Sequence, residues 1–380
     1  MLSKRKKKPV KTNYGSKGLF YSKENIDKTG CDYRIIFGER SNGKTFAVLL
    51  DFLIDYQENG YQGGYIRRWT EDIRPRTMKN LYNNFVANEL AGNLIEKITG
   101  GKYNDFVYRG RDFFLIRRDE KTKEIKAEDL TSFCHTFSLS DWEHEKAQQF
   151  PRIKKILFDE FLTRKMYLPD EYTAFNNVLS TIIRRRDDVI IYMVGNTVNW
   201  DCPYFHEMGL KHIRKMKQGD IDVYEYDQNL RVAIEYCHDT SKSKASNRYF
   251  AFDNPATKMI TKGTWQTDIY AHLQEKYDKK QVVLSYFIEY MDALLQCEIV
   301  EGDDILFTYI HYKTTPVKHN TDIVFSFERD NNPYHYENFL KPVNNLTQRI
   351  YSVYRNYPIY YQSNEVGECF RNYLVKCQTK

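Results

Sequence analysis

Two features are missing from these 380 residues: a long apolar run and an organised set of cysteines. No stretch approaches the roughly 20 apolar residues that span a bilayer, so a membrane-spanning helix is not expected. The basic start is followed by polar residues from Pro9 to Lys17 where a signal peptide needs an apolar core, which argues against secretion. The seven cysteines, Cys31, Cys134, Cys202, Cys237, Cys297, Cys369 and Cys377, are odd in number, scattered and without a C-x-x-C pair. They read as reduced thiols in a cytosolic protein, with neither a disulfide framework nor a zinc site. Excess charge on the body is also missing. The formal charge is +6, but Lys4, Arg5, Lys6, Lys7, Lys8 and Lys11 supply six positives before any acid occurs. Residues 12 to 205 carry 29 basic and 28 acidic side chains and the remainder 22 and 23, so the body has no net basic excess. What is abundant is aromatic: 31 Tyr and 23 Phe in a chain that is 41% hydrophobic, enough for two cores.

Residues 1 to 18 are charged and aperiodic, a flexible arm. Strand character at Asp32 to Phe37, stopped by Gly38, precedes helical spacing over Thr45 to Tyr56. A second strand is predicted over Gly64 to Trp69, a helix over Thr77 to Leu94, and hairpin strands over Lys102 to Val107, Arg111 to Arg118 and Ile125 to Phe137. Ser140-Asp141-Trp142-Glu143 has the form of a helix capping box. Strand Ile153 to Phe158, helix Pro169 to Ile183 and strand Val189 to Val194 follow. Strands that are apolar throughout and alternate with helices indicate an α/β domain with a parallel sheet covered on both faces, over residues 19 to 205. Residues 206 to 246 end in the low-complexity run Thr240 to Ser246 and read as a linker segment. Beyond it, residues 247 to 380 read as α+β, with strands over Gln281 to Tyr290, Ala293 to Val300 and Ile305 to Tyr312 and a helix from about Asn345 to Arg355.

Gly38-Glu39-Arg40-Ser41-Asn42-Gly43-Lys44-Thr45 fits G-x-x-x-x-G-K-[ST] between a strand and a helix. Glycines let backbone N–H groups wrap phosphates, the helix N-terminus adds positive potential, Lys44 reaches the β- and γ-phosphates, and the Thr45 hydroxyl ligates magnesium. Gly38, Arg40, Ser41, Asn42, Gly43, Lys44 and Thr45 are therefore the expected nucleotide-binding residues, with ATP and Mg2+ as ligands. The strand Ile156-Leu157-Phe158 ends in Asp159 and Glu160. Beside a phosphate loop, Asp159 is placed to hold magnesium and Glu160 to activate the attacking water. Asn196, at the tip of the third apolar strand, is either a γ-phosphate sensor or a turn asparagine. Among Arg184, Arg185 and Arg186, one can act on a neighbouring subunit's site, while the others suit a helix C-terminus. Alternation puts Arg67 and Arg68 on opposite faces of their strand, so at most one serves the nucleotide. His135, His144 and His206 lack metal-ligand spacing. Glu289, Asp292, Glu298 and Asp304 raise a two-metal nuclease only if they converge, which their spread along strands does not suggest.

These segments resemble the genome-packaging motor ATPases, or DNA encapsidation proteins, of small short-tailed phages with protein-primed linear genomes. The resemblance rests on Ile36 to Thr45, Gly64 to Trp69, Leu139 to Lys146, Ile156 to Phe161, Ile183 to Arg186 and Gly195-Asn196 with Pro203-Tyr204-Phe205. It implies a RecA-like P-loop ATPase domain of the additional-strand catalytic-glutamate type, a linker domain, and an RNase H-like C-terminal domain without the nuclease acids. It further implies a homo-pentameric ring at the portal of a procapsid in the host cytoplasm, absent from the mature virion and pumping double-stranded DNA. In part of the family a packaging RNA is also bound. By position, Lys44, Thr45, Asp159 and Glu160 match the hydrolysis residues, Arg184 the trans-acting finger, and Lys146 and Lys165 the lysines facing DNA. Thr70 stands where the family can place a lysine, which shifts any neighbour contact there toward Arg74 or Arg76. The alternatives are a DNA helicase of the same ATPase class and a nucleic-acid-binding scaffold with a degenerate nucleotide site.

Overall fold

Strands that are apolar along their whole length must be covered on both faces, and the first sheet is built from such strands. It is seen in a computed structural model that describes residues 21–40, 42–88, 91–141, 149–163, 167–197, 202–237, 270–273, 276–291, 293–302, 305–318, 320–328 and 331–379. The chain divides into two compact units, Met1–Glu207 with Arg214–Trp265 and Met208–Ile213 with Gln266–Lys380.

In the first unit, α1 (Glu24–Asp27) leads into β1 (Tyr33–Gly38), α2 (Lys44–Asn59) and β2 (Gln62–Arg67). Three one-turn helices follow, α3 (Pro75–Met78), α4 (Asn83–Val86) and α5 (Leu94–Ile98). Then come β3 (Asp105–Arg109), β4 (Asp112–Arg118), β5 (Ile125–Glu128) and β6 (Cys134–Ser138). The chain continues through β7 (Ile153–Asp159), α6 (Glu171–Ile183), β8 (Ile190–Asn196), α7 (Pro203–Glu207), β9 (Ile221–Glu225) and β10 (Arg231–Tyr236). Among the described residues ten strands form one sheet in the order β3-β4-β6-β2-β7-β8-β1-β10-β9, with β5 on β4. The run from β6 to β10 is parallel, and antiparallel strands finish both edges. Ile35, Ile36, Phe37, Ile156, Leu157 and Phe158 are fully buried in its centre. Each such side chain contributes about 1.5–3 kcal/mol of burial.

Three expectations are corrected. The helix over Thr77 to Leu94 is broken into short turns, because asparagine side chains compete for the backbone there. Asn88 Oδ1 accepts from the Ala91 N–H at 2.9 Å, and Asn93 Oδ1 caps α5 by accepting from the Glu96 N–H at 2.9 Å. The strand over Ile125 to Phe137 is two strands, β5 and β6, both beside β4. The first domain does not stop near Phe205: β10 pairs in parallel with β1, and β9 pairs with β10, so residues 221–236 complete the same sheet. The residues after Asp141 in the expected capping box lie outside the described residues.

The second unit has β11 (Val282–Tyr290), β12 (Ala293–Glu301), β13 (Leu306–Tyr312), β14 (Val324–Ser326), β15 (His335–Tyr336), α8 (Asn345–Asn356), β16 (Ile359–Tyr361) and α9 (Asn364–Thr379). Among the described residues its sheet runs β15-β14-β11-β12-β13-β16. β11, β12 and β13 are antiparallel, whereas β14 is parallel to β11, β15 to β14 and β16 to β13. Asn344 caps α8 through a reciprocal pair with Thr347. Glu289 and Glu298 stand opposite Leu294 and Ser285, four residue positions apart along the β11–β12 ladder, or about 13 Å at the rise of a strand. That is too far for two ions at roughly 4 Å spacing. Asp292 and Asp304 lie outside the described residues.

Candidate active site

The C-terminal ends of the parallel strands bring the site together. β1 pairs with β8 so that Gly38 faces Asn196, and β7 pairs with β8 so that Asp159 faces Val194. β2 lies on the other side of β7, with Tyr65 opposite Leu157. The phosphate loop leaves β1 at Gly38 and enters α2 through Gly43, whose φ of +91° is a left-handed value that an L side chain resists. The N-cap Gly43 has no side chain to offer α2; Asn42 Oδ1 accepts from the Lys44 N–H at 3.3 Å, and the positive end of the helix dipole faces the loop.

Lys44, 4% exposed, folds back over the loop. Its Nζ donates to the Glu39 carbonyl, to Asn42 Oδ1 at 3.1 Å and to Asn196 Oδ1 at 3.4 Å. Burial holds the ammonium below the usual lysine range, opposed by the nearby Cys237, Asp159 and Glu39. Asn42 also donates to Cys237 Sγ at 3.1 Å, tying the loop to the end of β10. Asn196 thus stands within reach of the phosphate-loop lysine. Arg40 is exposed, and Ser41 lies outside the described residues.

Thr45 Oγ1 donates to Asp159 Oδ1 at 2.9 Å. Tyr65, wholly buried on β2, donates its hydroxyl to Asp159 Oδ2 at 2.9 Å, a contact not evident in the sequence. Arg67 reaches the same oxygen at 3.4 Å and Glu160 Oε2 at 2.7 Å, bridging two carboxylates that would repel each other. Arg68 points to the opposite face and pairs with Glu171 at 2.8 Å, as strand alternation requires. Asp159 is buried, while the Glu160 side chain is 57% exposed at the mouth of the site.

Arg184 is not among these residues. It follows α6 with φ 54° and ψ −120°, a sparsely populated conformation for a non-glycine residue. Arg186, two residues on, donates to the carbonyls of Pro151 and Ile153, where β7 begins. Asp159 is the last residue of that strand, so Arg184 stands at the opposite end of the strands, about 20 Å from Asp159 at the rise of a strand. It lines a cavity of about 890 Å³ with Arg185, Arg186, Phe150, Asn177 and Thr181. Lys146 and Lys165 lie outside the described residues.

Comparison with known proteins supplies the family. Residues 15–324 match the model of the Podovirus DNA encapsidation protein (Gp16). The DNA packaging protein of Bacillus phage phi29 is 27% identical over 192 residues, covering 50% of each chain. That of Bacillus phage B103 is 27% identical over 262 residues, 60% of this chain and 73% of the other. The match to phi29 therefore spans about half of that relative's length. A solved structure, the bacteriophage Phi-29 viral genome packaging motor assembly, aligns with a TM-score of 0.52 at 18% identity, over 93% of this chain and 99% of that one, which speaks for a shared fold. On the family match, this chain belongs to the Podovirus DNA encapsidation proteins.

Proposed function

We propose that the chain is an ATP-driven double-stranded DNA translocase that packages a viral genome into a procapsid. The observation that carries the reading is the junction of Lys44, Thr45, Asp159 and Glu160 beyond the ends of β1 and β7, the parallel strands on either side of β8. These residues fit ATP and magnesium. The positive end of the α2 dipole and the inward-folded Lys44 suit phosphate oxygens, and Thr45 Oγ1 and Asp159 Oδ1, 2.9 Å apart, form the hard oxygen pair that magnesium prefers. Magnesium, when bound, neutralises charge on the β- and γ-phosphates. Lys44 binds the same phosphates, while Tyr65 and Arg67 fix the orientation of the Asp159 carboxylate. Glu160 takes the proton of the water that attacks the γ-phosphorus, as the bond to the β-phosphate oxygen breaks.

The first unit is assigned a RecA-like fold of the additional-strand type, with β8 lying between β1, which leads into the glycine loop, and β7, which ends in Asp159. In the second unit, three antiparallel strands with β14 and β15 added parallel to the first support an RNase H-like fold. The separation of Glu289 from Glu298 along the β11–β12 ladder supports loss of nuclease activity. In this reading the protein works as a ring docked on the portal, with Arg184 serving the adjacent subunit's site and a few lysines, Lys146 and Lys165 among them, touching DNA phosphates without reading sequence. Packaging RNA is a further partner to be tested on the second unit.

Glu160→Gln tests the assignment. It should retain ATP binding and lose DNA-stimulated hydrolysis by about 10²–10⁴-fold, the usual worth of a positioned base. Wild-type turnover in that variant would remove the assignment. Strand unwinding by the purified protein would favour the helicase alternative instead.

A further inference from the structure

Glu160 lies just past the end of β7, with φ +59° in the left-handed region that side-chain-bearing residues avoid. Past the ladder, the carbonyls of Glu160 and Phe161 need donors from elsewhere. Arg68 supplies both: its Nη1 donates to the Glu160 carbonyl at 3.1 Å and its Nη2 to the Phe161 carbonyl at 2.7 Å. The third nitrogen, Nε, donates to Glu171 Oε2 at 2.8 Å. Glu171, 2% exposed at the start of α6, is itself fixed by the Leu168 N–H and by the Tyr204 hydroxyl, each at 2.8 Å. The guanidinium also faces the ring of Tyr167, with 5.0 Å to the centroid. Three segments beyond the catalytic turn, β2, α6 and α7, therefore converge on one planar fork that holds the backbone of a strained residue.

We propose that Arg68, anchored by Glu171 and Tyr204, is the positioning residue for the general base Glu160. It touches no reacting atom and acts through the backbone, from the sheet face opposite Arg67. A lysine cannot substitute, because one ammonium does not span a carboxylate and two successive carbonyls in a plane. The inference rests on the reading of Glu160 as the base, and misplacing a reacting group by about 1 Å can lower a rate by about 10²-fold.

The test compares Arg68→Lys, Glu160→Gln, the two combined, and Tyr204→Phe in the full chain, with hydrolysis of magnesium ATP and binding of the same nucleotide as readouts. Arg68→Lys should lower kcat by about 10–100-fold with KM and nucleotide affinity within about twofold. In the Glu160→Gln background, single-turnover measurement should show the same change costing less than about twofold, because the group being positioned is gone. Tyr204→Phe leaves the rings packed and removes one anchor, and it should lower kcat several-fold at constant KM. It decides the matter if Arg68→Lys fails to fold by circular dichroism. Equal losses in both backgrounds, or a loss carried by KM, would make Arg68 a purely structural residue and overturn the proposal. If Glu160→Gln is inactive while Arg68→Lys and Tyr204→Phe turn over normally, the hydrolysis reading stands and this one fails. If Glu160→Gln itself turns over normally, both fail.

Discussion

Gly195 shows how closely the turn after β7, which carries the proposed base Glu160, is fitted to its neighbour. A Cβ there would lie 2.9 Å from the Phe161 ring and 3.2 Å from Leu162 Cβ, inside ordinary contact distance. Phe161 is fully buried, with its ring edge against Tyr204 and Phe205, so it cannot move outward without loss. Gly195→Ala should destabilise the protein by about 1–3 kcal/mol, as other overpacked sites do, measured by urea unfolding. It should also slow hydrolysis, since Phe161 adjoins Glu160; unchanged stability and rate would show that the turn relaxes freely. The residues proposed to do the chemistry were legible in the sequence as candidates, because Lys44, Thr45, Asp159 and Glu160 follow from a fixed spacing and from acids ending an apolar strand, and the fold brings Thr45 to Asp159. Tyr65 and Glu171 were not. Their roles depend on β2 lying next to β7 and α6 starting beside that edge, and strand order leaves no mark in local sequence.

Elements were legible where periodicity is long and failed where side chains compete with the backbone. β1, α2, β7, α6 and β8 were expected within a few residues of their positions. The asparagine-rich stretch between Asn80 and Asn93 defeated an apolar helical pattern by capping and turning it instead. β9 and β10 were missed because mixed charge conceals an edge hairpin, and α9 because its aromatic and polar residues blur its apolar face. In the second unit, β12 and β13 set Glu298 against Tyr309, with His311 two residues along. The His311 ring at 3.8 Å is the main cause that pushes the Glu298 carboxyl down to about 2, against the opposing effect of burial. The Tyr277 hydroxyl and Gln296 Nε2 add donated hydrogen bonds. A carboxylate with a depressed folded pKa adds stability above its unfolded value, here 4.5, and that contribution is lost as pH falls through 2. Carboxyl-labelled glutamate followed by NMR should show one residue titrating near 2, a signal that disappears in Glu298→Gln. Titration of Glu298 near 4.5 would mean that the cluster does not hold the charged form.

At the scale of the whole molecule, the neutral body and the placement of Arg184 point the same way. A body without net basic charge offers little bulk attraction for DNA, so in the proposed translocase grip comes from a few contacts multiplied by copies of the chain. Under the proposed function Arg184 serves a second copy of the chain, because the contacts of Arg186 to the start of β7 hold it at the opposite end of the strands from Asp159. Under that proposal both constraints are met when the Arg184 end of one subunit faces the Lys44 loop of the next, a heterologous interface that gives a ring when its rotation closes. Arg184→Ala and Lys44→Ala should each abolish hydrolysis as uniform rings, the arginine loss reaching about 10³–10⁵-fold. Mixed in equal amounts, about a quarter of the interfaces pair an intact Lys44 with an intact Arg184, and hydrolysis should return in that proportion. Mixed rings verified by two affinity tags but without restored hydrolysis would place the role of Arg184 within its own subunit, most directly at the cavity that it lines beside Phe150 and Asn177.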